Sequence, residues 1–77
     1  MNKVRRKSLN EIVEKLEALK EELEELKDEE QDYYDNMPES FQYGEKGEQA
    51  EEAISNLEEA YDNLDSAIEM IQEAIGG

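Results

Sequence analysis

The side chains able to do chemistry in this chain are almost all carboxylates and phenols. Its 77 residues include 23 Asp and Glu, eight Lys and Arg, four Tyr, and neither His nor Cys. Without cysteine there is no disulfide, thiolate nucleophile or iron–sulfur ligation. Without histidine, a zinc site, an imidazole acid–base pair and the Glu-x-x-His motif of di-metal bundles are not expected. Two carboxylates can divide acid and base roles in hydrolysis, but they need a shaped cleft, and a short helical chain does not predict one. An EF-hand loop wants alternating acids, a glycine at its sixth place and a glutamate at its twelfth; the stretch Asp32 to Tyr43 has neither of the last two. Gly44-Glu45-Lys46-Gly47 lacks the Lys-Ser/Thr and the preceding strand of a phosphate-cradling loop. The expectation is a protein that is not an enzyme and has no cofactor and no metal site.

What remains is charge. The net charge is −15, which excludes a generic binder of duplex nucleic acid, since phosphate contacts need a basic surface. No apolar run approaches the ~18 residues of a membrane span, so no membrane partner is expected. The charge is unevenly placed. Residues 1–20 carry six bases and three acids, while residues 21–77 carry two bases and twenty acids.

Two helices must position these groups. Residues 1–7 read as a basic lead holding Lys3, Arg5, Arg6 and Lys7. Ser8 reads as an N-cap, with Glu11 completing a capping box. The first helix then spans residues 8–34. Its apolar residues Leu9, Ile12, Leu16, Leu19, Leu23 and Leu26 recur in threes and fours, a heptad seam whose next places are Glu30 and Tyr33. Asn36, Met37 and Pro38 end it, because proline withdraws a backbone donor and disfavours helical geometry before it. A loop covers residues 35–47, with room for one helical turn from Pro38 to Gln42 and with Gly44 and Gly47 punctuating its far side. The second helix spans residues 48–75. Its seam is Ile54, Leu57, Tyr61, Leu64, Ile68, Ile71 and Ile75, flanked by alanines at 53, 60, 67 and 74. The predicted fold is all-α, a single-domain, antiparallel, coiled-coil-like two-helix hairpin. Its stripe is wider than one partner helix can cover, so the hairpin is expected to homo-oligomerise, a dimer in a four-helix bundle being favoured.

Folding back brings the basic lead toward Glu69, Glu73 and the chain carboxylate, so intramolecular charge matching is one role for Arg5, Arg6 and Lys7. Holding a phosphate or nucleotide is another, and a disordered tail a third. The opposite pole has no such partner. From Asp28 to Glu52 there are ten acids and one base, and Tyr33, Tyr34, Phe41 and Tyr43, four of the five aromatics, fall in the same stretch. Aromatics inside a charged rim have the composition of an interface hot spot. Tyr33 and Phe41 also suit a small core capping the bundle; of Tyr34 and Tyr43, at least one is expected to be exposed. The candidate protein-binding residues are Asp32, Tyr34, Asp35, Glu39, Phe41, Tyr43, Glu48, Glu51 and Glu52. A merely solvated acidic face is the bland alternative, and a weak, unspecific cation site a third.

The run Asp28-Glu29-Glu30-Gln31, followed by Asp35-Asn36 and Pro38-Glu39, forms a DEEQ-x-x-x-DN-x-PE pattern. With Gly44-Glu45-Lys46-Gly47-Glu48 and the acidic, alanine-rich segment Ala50 to Ala60, it resembles a group of small acidic helical proteins of phages and prophages. The resemblance covers residues 26–75 and leaves the basic lead outside. It carries over no catalytic residue and implies a mobile element in a bacterial cytoplasm. Three functions are then expected as alternatives. The first is a binding protein whose tip docks on a basic host protein, as a host-takeover or anti-defence inhibitor, with carboxylates standing where phosphates would. The second is an oligomeric binder of a nucleotide or oligonucleotide signal through Arg5, Arg6 and Lys7. The third is a structural or assembly component.

Overall fold

The structure is a computed structural model and describes residues 1–76. It is an all-α hairpin 58 × 15 × 12 Å in extent. Helix α1 runs Lys3–Asp35, a single turn α2 occupies Glu39–Gln42, and α3 runs Glu45–Gly76 antiparallel to α1.

Helix α1 starts earlier than the capping box predicts. Asn2, not Ser8, is the N-cap: its side-chain oxygen accepts from the Arg5 backbone N–H at 2.7 Å. Asparagine caps as well as serine, and the Lys and Arg that follow are good helix formers. The lead is therefore helical, and Ser8 and Glu11 lie within the helix. The other end matches the proline argument. Asn36 closes α1, its N–H donating to Asp32 O at 3.0 Å, and Met37 N–H donates to Tyr34 O at 3.1 Å. Pro38 then caps α2, its carbonyl accepting from Phe41 and Gln42 at 2.8 and 3.1 Å.

Helix α3 also begins early, at Glu45, so Gly47 is inside the helix and not part of the loop. It is buried there. A Cβ on it would fall onto the Gln42 carbonyl oxygen and lie 2.7 Å from Gln42 Cα. Glycine thus lets the backbone of α2 rest on the first turn of α3.

The α3 seam lies inward as its spacing predicts. Ile54 and Ile68 are buried, and Leu57, Tyr61, Leu64, Ile71 and Ile75 are half-buried. Fully burying a side chain like Ile54 stabilises by about 1.5–3 kcal/mol. The α1 seam is split. Leu9, Leu16 and Leu23 are half-buried and Val13 is buried, but Ile12, Leu19, Leu26 and Tyr33 are 44, 52, 57 and 53% exposed. Their places against α3 go to Val13, Lys20, Lys27 and Tyr34, one position further along. Lys20 and Lys27 lay their stems on the seam and keep their ammonium groups outside. Lys20 Nζ sits 5.0 Å from the centroid of the Tyr61 ring and 2.8 Å from Asp65 Oδ1. A long cation with a carboxylate across the seam therefore holds α1 in this rotation, and one neighbouring helix cannot cover both columns of its stripe.

Candidate functional site: the acidic aromatic tip

The tip is built on the closure of the hairpin. The Gln42 side-chain amide donates to Tyr34 O at 3.0 Å, which ties α2 back to the end of α1. The Tyr34 hydroxyl donates to Glu51 Oε1 at 2.6 Å, which ties α1 to α3. That hydrogen bond, with some burial of the ring and the nearby Glu51 charge, raises the Tyr34 pKa above the ordinary phenol value. Tyr34 is half-buried and its hydroxyl is already engaged, so within the candidate set it is a structural tie and Glu51 its acceptor.

The remaining candidates all lie on the surface: Asp32, Asp35, Glu39, Phe41, Tyr43, Glu48 and Glu52 are exposed. Tyr43 is 80% and Phe41 50% exposed; of the tyrosine pair, it is Tyr43 that stands free. Phe41 and Tyr33 are not closed into a cap over the bundle. They line an open groove of about 410 Å³ with Asn36, Met37, Pro38 and Lys46. Lys46 Nζ lies 5.6 Å from the Phe41 centroid, a cation–π placement that keeps the tip's single base over the ring. The candidate acids form no ion pair among the described residues. Among the described residues the ion pairs are Lys20–Asp65 and the long Lys27–Asp28 contact at 3.7 Å. Asp35 accepts from Gln31 Nε2 at 3.0 Å within α1.

Arg5, Arg6 and Lys7 are exposed on the first turns of α1. They form no ion pair with Glu69 or Glu73 among the described residues; the chain carboxylate, the third acid expected near them, lies outside the described residues. Two cross-links set the register: residue 20 is level with 65, and 34 with 51. Each step along α1 is thus one step back along α3. This puts Leu9 level with Gly76 and the basic residues further out, which is why Glu69 and Glu73 do not meet them.

Two further grooves lie on the side of these cross-links. One is lined by Glu24, Lys27, Glu58, Tyr61 and Asp62, the other by Gln31, Tyr34, Glu51, Ile54, Ser55 and Glu58. Both are shallow openings between the helices. Among the described residues no group of three or more carboxylates is arranged to hold a metal ion, and no helix is long and apolar enough to cross a membrane. Comparison with known protein families, with curated proteins and with solved structures finds no match.

Proposed function

We propose that this chain is a non-catalytic binding protein that acts as a dimer of hairpins, a four-helix bundle, and docks its acidic aromatic tip on a basic protein surface. The supporting observation is the pairing of Tyr43 and Phe41, both exposed, with carboxylates that have no cation of their own. Exposed aromatic rings supply contact area, and the surrounding charge steers a basic partner and helps to exclude acidic ones. On the resemblance to phage and prophage proteins, such a partner would be a bacterial cytoplasmic enzyme whose basic surface meets carboxylates in place of phosphates.

The test is capture from a bacterial lysate with the wild-type chain and with Asp35→Lys/Glu39→Lys/Glu48→Lys. All three positions are exposed, so helicity should survive. The reading expects a basic protein retained by the wild type and lost from the triple variant. Equal recovery by both would overturn it.

A further inference from the structure

The split seam of α1 leaves a column of large apolar side chains outside the hairpin. Ile12, Leu19, Leu26 and Tyr33 are each about half exposed and seven residues apart, so the column runs about 31 Å along the helix. It lies on the side of the hairpin away from Lys20–Asp65 and Tyr34–Glu51. On that same side α3 presents Ala53, Ala60 and Ala67, half-buried and also seven apart. The hairpin thus has one broad apolar face made of a large-residue column and a small-residue column.

The accessible surface is 5899 Å². A compact monomer of 8.9 kDa exposes about 4,800 Å², so the excess is about 1,100 Å². A standard interface removes about 800 Å² from each partner. The rod has the surplus a dimer needs.

From this face we infer that a second copy of the chain covers it with the two hairpins antiparallel, so that each basic lead lies beside the other copy's acidic tip. The inference rests on the dimer proposed above and adds its face and its orientation. Two arguments carry it. First, the face is self-complementary about one point. The midpoint of the Ile12–Tyr33 column lies between residues 22 and 23, level with 62 and 63 of α3. The alanine column, with Ala74, has its midpoint between 63 and 64. A two-fold axis across the rod at the centre of the large column therefore brings Leu19 to Leu26 and Ile12 to Tyr33 of the other copy, and sets Ala60 within two residues, about 3 Å along the axis, of the other copy's Ala67.

Second, charge selects the orientation. A parallel pair, which would seat the large column on the alanines, stacks one tip on the other, each with a net charge of −9 from Asp28 to Glu52. The antiparallel pair instead places Lys3, Arg5, Arg6 and Lys7 level with residues 38–42 of the other copy. Lys15 comes level with Glu30, and the lead crosses the groove lined by Tyr33, Met37 and Phe41. Like charges at close quarters suppress the wrong arrangement. The result is a rod with a tip at each end, in which the other copy's lead covers the groove beside Phe41 and a docked partner meets Tyr43 and the carboxylates outside that groove.

Sedimentation equilibrium on the full chain tests the face. The wild type should show twice 8.9 kDa. Leu19→Glu/Leu26→Glu should show 8.9 kDa with helicity kept, because both residues are outside the hairpin's own core. Ser55→Glu, at an exposed residue on the opposite, cross-link side, should remain a dimer. Spin labels on Ser40→Cys test the orientation: antiparallel copies hold them about 50 Å apart at 1.5 Å per residue, whereas parallel copies bring them together. A dimer that persists in the double glutamate variant overturns the face and leaves the dimer standing. A short label distance overturns the orientation. A monomer at every concentration overturns the dimer as well, while docking by the tip is read separately, from capture by the wild type and by the triple lysine variant.

Discussion

At the scale of single residues, two side chains fasten the helices across the seam, and both hold a proton more tightly in the fold than outside it. Lys20 is raised above its ordinary value chiefly by the hydrogen bond to Asp65, against some desolvation. Tyr34 is raised chiefly by its hydrogen bond to Glu51. For a group whose folded pKa is raised, the stabilisation is fully present below the unfolded value and is lost as pH climbs through the folded one. The ordinary values are 10.5 for Lys20 and 10.0 for Tyr34, so their shared contribution should hold through neutral pH and decline above about pH 10. Urea midpoints measured along an alkaline series should fall more steeply for wild type than for Tyr34→Phe, and Lys20→Met should remove the rest of the difference. The tyrosinate absorbance missing from Tyr34→Phe should develop at a higher pH than a free phenol. Superimposable pH profiles for wild type and Tyr34→Phe would show that the phenol–carboxylate tie does not exist in solution.

At the scale of elements, the closure of the hairpin depends on one close approach. Gly44 and Gly47 look alike in the sequence, yet only Gly47 lies where a methyl group would run into the backbone of α2. A Cβ at Gly44 would meet Ser40 O and Phe41 O at 3.5 and 3.6 Å, an ordinary contact, and its φ is not positive. Gly47→Ala should therefore cost about 1–3 kcal/mol as an overpacking change, shift α2 and weaken the Gln42–Tyr34 tie. Gly44→Ala should be neutral or stabilising by about 0.4–1 kcal/mol. Urea midpoints of the two variants decide it; equal losses would mean that α2 does not rest on α3. The same contrast shows where the sequence was readable. The α3 stripe was legible because every large apolar residue except Met70 lies on one seam, and Pro38 marked the turn. The α1 stripe was legible only in part, because its leucines serve two surfaces, while Lys20 and Lys27 sit on the inner one and look like solvated residues in the sequence. The Asn2 cap was hidden by a better-formed capping pattern at Ser8 and Glu11. Within the site, Tyr43 and the tip acids lie where composition placed them. The role of Tyr34 was not readable, because it depends on Glu51 from the other helix and so on a register that no local pattern encodes.

At the scale of the whole molecule, charge is the term that opposes the fold. Each chain carries −15 on a rod only 15 × 12 Å in cross-section. The Debye length is about 30 Å at 0.01 M salt and about 3 Å at 1 M, so at low salt every acid on one helix feels those on the next, and at high salt only immediate neighbours do. In the proposed dimer, attraction between basic leads and tips is screened as well, but it involves four bases per chain against 23 acids. Repulsion is the larger sum, and salt should stabilise the protein. Between about 0.01 and 0.5 M sodium chloride, at fixed protein concentration, a gain of about 1 kcal/mol would raise Tm by about 4–8 °C for a domain of this size. Tm should also rise with protein concentration at each salt, since association stabilises the folded state by mass action. For Leu19→Glu/Leu26→Glu the salt effect should persist and the concentration effect vanish, which separates repulsion within the hairpin from assembly across its apolar face. A Tm that falls as salt is added would mean that attraction between lead and tip, and not repulsion among carboxylates, governs the stability of the rod.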